Sequence, residues 1–226
     1  MARAGLTMEA RRMRMISDQL RRRDITDPLV LSAFARVPRE AFVPPELIEH
    51  AYDDGPLPIG NGQTISQPYV VAMTVEALGL HGGERVLEIG TGSGYAAAIL
   101  AAMVREVVTV ERIAELAMIA AERLARLGFR NVQVHHADGT LGWPPGAPYE
   151  AIAVAAGAPE PPPSLLDQLA VGGRLVLPFG HADHQRLVRI TRRSSTSFYE
   201  EDLGDVRFVP LVGAEGWPDA SHPARA

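Results

Sequence analysis

The stretch V-L-E-I-G-T-G-S-G-Y at residues 86–95 decides the fold of this chain. It starts as a short apolar strand, continues through a loop with glycine at every second position, and runs into an alanine-rich helix. Glycine permits positive φ and lets a ligand lie against the backbone, and the following helix start offers unpaired N–H groups. The stretch therefore predicts a ligand site at the carboxyl end of a buried strand.

Strands alternate with helices from this stretch onward. Strands are predicted at residues 85–89, 107–110, 132–135, 151–155 and 174–177, and helices at 95–103, 113–127 and 164–169. This alternation indicates an α/β fold with a doubly wound, mostly parallel, Rossmann-like sheet. Two later apolar runs, 187–190 and 206–211, are expected to pair as an antiparallel edge hairpin, because no helix-length segment separates them.

The residues before the glycine loop predict an amino-terminal helical extension. An amphipathic helix is expected over residues 8–23, followed by a helix with Asp27 as its N-cap and Pro28 at its first position. The arginine-rich start resembles a mitochondrial transit peptide in composition, but an apolar stripe of Met15, Ile16 and Leu20 favours a docked helix.

A long segment rich in glycine and proline, residues 51–69, separates these helices from a further helical pattern at 69–80. We expect it to be an irregular loop, and loops of that length in a compact chain are often functional. Residues 1–80 are expected to pack on a core formed by residues 81–226, so that the two parts make one structural unit.

Composition excludes several classes of function. The 226 residues are 46% hydrophobic, carry a formal net charge of -5 and include no cysteine, which excludes disulfides and thiolate sites. The acidic balance argues against nucleic-acid binding. No apolar run approaches the roughly 18 residues of a membrane span. We expect a cytoplasmic, monomeric protein that binds neither nucleic acid nor membrane.

The glycine loop favours S-adenosylmethionine over a dinucleotide. Its spacing is G-x-G-x-G, not the dinucleotide pattern G-x-G-x-x-G, and Glu88 precedes the first glycine. A carboxylate there would repel a pyrophosphate but suits the cationic amino group of a methionine moiety. The predicted cofactor-binding residues of this loop are Glu88, Gly90, Thr91, Gly92, Ser93 and Gly94.

Acidic residues after the next two strands extend this site. Glu111, with Arg112 beside it, stands about 20 residues beyond the first glycine, where an acid can accept both ribose hydroxyls. The alternative is an ordinary helix-start acid favoured by the helix dipole. Asp138 and Gly139 follow the third strand, where a carboxylate could accept the adenine amino group, although such a pair is also an ordinary turn.

The segment G-N-G-Q-T-I-S-Q-P-Y at residues 60–69 resembles the active-site loop of the protein-L-isoaspartate O-methyltransferases. The resemblance extends to residues 19–23, 37–44, 172–178 and 207–212 and so spans nearly the whole chain. It implies that Ser66 is the active-site serine and that Gln63 and Thr64 lie by the cofactor. It also implies that Ile65, Gln67, Ala155 and Ala156 lie on the acceptor side.

The implied chemistry is methyl esterification of an L-isoaspartyl carboxylate, with S-adenosyl-L-homocysteine as the second product and damaged proteins or peptides as partners. A carboxylate is ionised near neutral pH, so the attacking oxygen needs no general base and no metal. Ser66 would then position the acceptor. Without the resemblance, a serine there could simply cap the helix that follows.

The predicted fourth strand departs from the family pattern. The family usually carries aspartate and threonine where this chain has Glu150 and Ala155. These changes put acceptor preference or rate in doubt more than cofactor binding. Two alternatives therefore stay open: a related carboxyl methyltransferase with a dedicated peptide substrate, and a catalytically weak cofactor-binding protein.

Overall fold

The computed structural model describes residues 5–181 and 184–219. The chain begins with helix α1 (Met8–Met15), which continues as a wider π turn over Ile16–Leu20 and a 3-10 turn over Arg21–Arg23. The prediction of one continuous α-helix over 8–23 is therefore wrong, because the hydrogen-bond spacing changes after Met15. The apolar stripe is nonetheless docked, because its three residues are between 0% and 3% exposed.

The second helix, α2 (Pro28–Arg36), begins as predicted. The Asp27 side chain accepts hydrogen bonds from the backbone N–H groups of Leu29 and Val30, at 2.7 and 3.4 Å. Pro28 occupies the first helical position, where its missing N–H costs nothing. Short 3-10 turns then span Arg39–Phe42 and Pro45–His50.

The segment 51–69 is not the irregular loop that its composition suggested. It contains a two-stranded hairpin of β1 (Leu57–Gly60) and β2 (Gln63–Ile65), followed by α3 (Pro68–Leu78). Asn61 and Gly62 form its turn, both with positive φ, of 51° and 69°. The Asn-Gly pair is the strongest short-range hairpin signal, and it explains why a tight turn forms here.

Among the described residues, the central sheet has seven strands, and the first four in chain order are parallel. They are β3 (Arg85–Ile89), β4 (Glu106–Glu111), β5 (Val132–His136) and β6 (Tyr149–Val154), alternating with α4 (Tyr95–Ala101) and α5 (Ala114–Arg126). α6 (Pro163–Gln168) leads to β7 (Leu169–His181), which pairs parallel with β6. With β8 at His184–Arg192 and β9 at Phe198–Val206, the order is β5-β4-β3-β6-β7-β8-β9, so the winding reverses between β3 and β6. The doubly wound prediction is confirmed.

The two faces of the sheet are apolar in alternate positions, as both-side burial requires. Val86 and Val107 point into one cluster with Leu20, Phe34 and α3, whereas Leu87 and Val108 point into a second cluster on the other face. The first cluster joins the amino-terminal elements and the sheet in one continuous core.

The carboxyl-terminal hairpin exists, but its second strand was misplaced. β8 (His184–Arg192) pairs antiparallel with β7 and with β9 (Phe198–Val206), so of the predicted run 206–211 only Val206 belongs to the strand. β9 is an edge strand with much of its surface exposed, so it shows no apolar run to reveal it. Residues 207–217, here called the strap, leave the sheet instead and join the ends of other strands through bridges such as Gly157 to Pro210.

No helix in the described ranges is both long and apolar enough to cross a membrane.

Candidate functional site

A cavity lies at the carboxyl ends of β3, β4 and β6, where the winding of the sheet reverses. Three segments meet around it: the glycine loop after β3, the segment 63–67 that runs from β2 to α3, and the strap. We call it the loop cavity. The predicted site residues that line it are Gln63, Thr64, Ile65, Ser66, Gly90, Thr91, Gly92, Ser93, Glu111, Arg112, Gly139, Ala155 and Ala156.

Two further depressions adjoin the loop cavity. An inner cavity lies between α3, α4 and the ends of β3 and β6, and its lining includes Glu88. An outer groove opens between segment 63–67 and the strap, and its lining includes Gln67 and Phe208. Ser66 and Ala155 line all three, so these two residues stand at their junction.

Glycine is required at two points of the loop cavity. Gly92 has φ of +52°, a left-handed conformation that L side chains adopt only with strain. A Cβ on Gly139 would lie 2.6 Å from the Cγ2 atom of Ile89. Gly94, by contrast, lies behind the loop against Leu124 and does not line the cavity, so its contribution is to the turn.

Glu111 links the glycine loop to the start of α5. Its Oε2 accepts a hydrogen bond from the Gly92 N–H at 2.9 Å, and its Oε1 accepts one from the Ile113 N–H at 3.0 Å. The carboxylate is buried and lines the loop cavity. The helix-start contact is thus present, and the position also suits the ribose role, because a carboxylate oxygen has more than one acceptor site.

Glu88 is buried beneath the glycine loop in a chain of hydroxyls. The Thr109 hydroxyl donates to Glu88 Oε2 at 2.6 Å and lies 2.6 Å from the Thr91 hydroxyl. Glu88 Oε1 has no hydrogen-bond partner within the described residues. Burial raises the pKa of Glu88 to about 8, against the opposing effect of the Thr109 hydrogen bond. Its predicted contact with a cofactor ammonium stays a prediction, because it lines the inner cavity only.

Asp138 ties the strap to the sheet. Its Oδ1 accepts from the Thr140 N–H and hydroxyl at 2.9 and 2.7 Å, and its Oδ2 accepts from the Ala214 N–H at 2.8 Å. The side chain does not line the loop cavity, whereas Gly139 does. The turn interpretation therefore describes its contacts, and the adenine role of its carboxylate stays a prediction.

A buried arginine, Arg39, binds the backbone carbonyl of Ser66, and the sequence did not predict it as a site residue. Arg39 is 0% exposed, and its Nε and Nη2 donate to the carbonyl oxygens of Ala51 and Ser66, both at 2.8 Å. Its guanidinium packs 4.9 Å from the centre of the Tyr95 ring, which lines the loop cavity. The one sequence signal that could have indicated a buried arginine was its place in the apolar run V-P-R-E-A-F-V-P at residues 37–44.

The departures in β6 have different consequences. Glu150 lies at the start of the strand, where its Oε2 accepts from the Arg85 N–H at 2.8 Å, remote from the cavities. Ala155 lies at the other end, at the junction with Ser66. Only the missing threonine hydroxyl therefore changes the lining of the site.

The strap is the second feature that sequence reasoning missed. Val209, Pro210, Leu211 and Val212 line the loop cavity, although the first three fall in the run 206–211 that predicts an edge strand. The run R-F-V-P-L-V had been recognised as part of the resemblance, but its apolar pattern alone does not distinguish a strand from a cavity wall.

The comparisons with known proteins agree with this geometry. A model of the protein-L-isoaspartate(D-aspartate) O-methyltransferase family matches residues 10–216. The chain is 61% identical over 219 residues to protein-L-isoaspartate O-methyltransferase 1 of Rhodopseudomonas palustris, covering 96% of this chain and 89% of the relative. The family predicted from the 60–69 segment is confirmed.

Two solved structures extend the likeness to the fold. One protein-L-isoaspartate O-methyltransferase superposes with a TM-score of 0.82 at 30% identity, covering 91% of this chain and 67% of that one. Another, from Plasmodium falciparum in complex with S-adenosyl-L-homocysteine, gives a TM-score of 0.78 at 26% identity and covers 92% and 99%. The chain thus belongs to the protein-L-isoaspartate(D-aspartate) O-methyltransferase family.

Proposed function

We propose that this protein transfers a methyl group from S-adenosylmethionine to the free carboxylate of L-isoaspartyl residues in damaged proteins or peptides, leaving S-adenosyl-L-homocysteine. The observation that carries the proposal is the position of Ser66, at the junction of the loop cavity and the outer groove. A ligand in the cavity and a peptide side chain entering from the groove would meet there.

The residues of the loop cavity fit the cofactor. Glu111 and Gly139 border the cavity, and Gly90 and Gly92 of the glycine loop form part of its wall. The residues that would hold the cofactor are Gln63, Thr64, Gly90, Thr91, Gly92, Ser93, Glu111, Arg112 and Gly139, with Glu88 beneath them. When bound, S-adenosylmethionine supplies a methyl group activated by a positively charged sulfur.

The side chains of this site align an acceptor and require no proton transfer. Neither histidine nor lysine is among the described residues that line the loop cavity. A carboxylate acceptor is already ionised near neutral pH, so alignment and removal of water are the remaining tasks. Ser66 can donate a hydrogen bond to one acceptor oxygen, and Arg39 fixes the backbone that carries it.

The outer groove supports a protein-repair role. It is open to solvent beside Ser66, and strap residues 207–210 line it, which leaves access for an extended peptide. We also propose that the enzyme works as a cytoplasmic monomer without nucleic acid or membrane. Size-exclusion chromatography with light scattering would test the oligomeric state.

The decisive experiment offers the purified protein two peptides that differ only in an isoaspartyl or a normal aspartyl linkage. Methyl transfer to the isoaspartyl peptide alone is expected. Cofactor binding with no transfer to either peptide would favour the dedicated-substrate alternative or the weak catalyst, for which the alanine at position 155 is the relevant departure. An Ala155→Thr variant that gains transfer would identify the weak catalyst.

A further inference from the structure

Gln185 is a buried polar residue outside the three cavities. Gln185 lies on β8 and is 2% exposed. It does not line the loop cavity, the inner cavity or the outer groove. Its Oε1 accepts a hydrogen bond from the Phe208 N–H at 2.8 Å, and its Nε2 donates to the Phe208 carbonyl oxygen at 3.2 Å. Both backbone groups of one strap residue are therefore satisfied by one side chain.

This contact replaces a strand pairing at the point where the sheet ends. The ladder between β8 and β9 stops at the pair Gln185 and Val206, and the chain then leaves the sheet. Backbone groups beyond that point need other partners, because burying them unpaired is costly. The amide side chain offers an N–H donor and a carbonyl acceptor side by side, as one residue of an extended strand does, and so holds Phe208 as a neighbouring strand would.

Gly157 packs against the Gln185 amide and binds the strap as well. A Cβ on Gly157 would lie 2.4 Å from the Gln185 Nε2, so any larger residue there would push the amide out of place. Gly157 in turn donates to the Val209 carbonyl oxygen and accepts from the Leu211 N–H, both at 2.8 Å. Gln185 and Gly157 together fix successive residues of the strap.

The fixed residues form walls of the site. Phe208 lines the inner cavity and the outer groove, and Val209 lines the loop cavity and the outer groove. Ser66 lines the same three spaces. A shift of Phe208 would therefore change the shape of the space in which the acceptor must meet Ser66.

We propose that Gln185 is a positioning residue for the acceptor, which acts by holding Phe208 at the wall of the inner cavity and the outer groove. The inference rests on the proposed function and adds a residue that touches neither substrate nor cofactor. Because the rest of the strap is anchored separately by Asp138 and Trp217, cofactor binding should depend little on Gln185.

The first test is the Gln185→Met variant, which keeps the length of the side chain and removes both hydrogen bonds. The KM for an isoaspartyl peptide is expected to rise about 5- to 100-fold, the scale of one or two lost hydrogen bonds, with a smaller fall in kcat. The dissociation constant for S-adenosyl-L-homocysteine should stay within about 3-fold. An unchanged peptide KM would overturn the proposal.

Gln168→Met is the matched control. Gln168 is also buried, and within the described residues it also bonds to backbone groups, those of Leu141, Ser164 and Trp143, at 2.8 to 2.9 Å. Unlike Phe208, none of these three partners lines the loop cavity, the inner cavity or the outer groove. This variant should lose stability yet keep the peptide KM. The same rise in KM in both variants would show a general loss of stability and overturn the proposal.

A second variant gives a readout that a purely structural role would not produce. In Gln185→Glu, an ionised carboxylate can accept from the Phe208 N–H but cannot donate to its carbonyl oxygen, whereas the protonated form can do both. Burial favours the protonated form. The variant's peptide KM, relative to the parent enzyme, should therefore approach the parent's value at pH 6 and depart from it at pH 8.

Amide hydrogen exchange separates failure of this inference from failure of the proposed function. Faster exchange at residues 207–211 is expected in Gln185→Met and not in Gln168→Met. An inactive parent enzyme would refute the proposed function, and the exchange data would still decide on Gln185: unchanged protection of residues 207–211 would overturn its positioning role.

Discussion

At the scale of single residues, Ser66 tests how the reaction is catalysed. Replacing it with alanine removes a hydroxyl at the junction of the cavities and leaves Glu111, the proposed ribose acceptor, in place. We expect kcat to fall about 10- to 1000-fold, the effect of one positioning hydrogen bond made in the transition state. The cofactor dissociation constant should be nearly unchanged when measured by calorimetry.

The pH profile of the parent enzyme supplies the matching control. With an ionised carboxylate as the nucleophile, the rate should rise through the acceptor's own pKa near roughly 4 and stay flat across neutrality. A base titrating near pH 7 that disappears on mutation of a histidine would contradict carboxyl methylation.

Glu111 can be tested by the Glu111→Ala variant. The variant removes the two carboxylate oxygens that accept from Gly92 and Ile113. Cofactor affinity should fall by about 1.5–3 kcal/mol, the range for hydrogen bonds to a charged group. The melting temperature should also fall, because the two N–H groups lose their partner. A lower melting temperature with unchanged affinity would assign Glu111 to the helix start alone.

At the scale of elements, the segment that joins β2 to α3 depends on Arg39. Arg39→Met leaves the carbonyl oxygens of Ala51 and Ser66 without their donors, and each buried, unpaired group costs about 1–3 kcal/mol. We expect the free energy of unfolding to fall and kcat/KM for the peptide to fall with it.

Arg174→Met is the control for that variant. Arg174 also donates to two carbonyl oxygens, of Leu78 and Gly79, at 2.9 and 3.0 Å, but it lies at the far end of α3. Its loss should lower stability and leave kcat/KM unchanged in the folded fraction. Equal catalytic losses in both variants would argue against a specific effect on Ser66.

At the scale of the whole molecule, Glu88 makes stability depend on pH. Its pKa is raised from 4.5 to about 8 by burial, so the folded state binds this proton more tightly than the unfolded state. The stabilisation is fully present below about pH 4.5 and is lost as pH rises towards 8, with a slope near 1.4 kcal/mol per unit. Glu88→Gln should flatten this slope in denaturant unfolding of the cofactor-free protein; an unchanged slope would contradict it.

We propose further that residues 1–80 and 81–226 form one structural unit, because Leu20 and Phe34 share a cluster with Val86 and Val107. Both tryptophans, Trp143 and Trp217, lie in the second part, whereas α1 and α2 lie in the first. Unfolding followed by tryptophan fluorescence and by far-ultraviolet circular dichroism should give coincident transitions. Separate transitions would indicate two units.

The sequence by itself determined the elements whose signals are local. The strand-to-glycine-loop stretch at 86–95 located the site, Asp27 and Pro28 marked the start of α2, and the alternation of strands and helices indicated the parallel sheet. These signals depend on residues within a few positions of each other, so they can be read without the fold. The 60–69 segment identified the family for the same reason.

Only the tertiary structure decided which distant groups meet. Arg39 and Ser66 are 27 residues apart, Gln185 and Phe208 are 23 apart, and Asp138 and Ala214 are 76 apart. Nothing near Arg39 or Gln185 in the sequence specifies the backbone carbonyl that each will bind. The strap likewise reads as a strand until the ladder between β8 and β9 is seen to end at Val206. Such contacts follow from burial of polar groups that must find partners wherever the packed chain provides them.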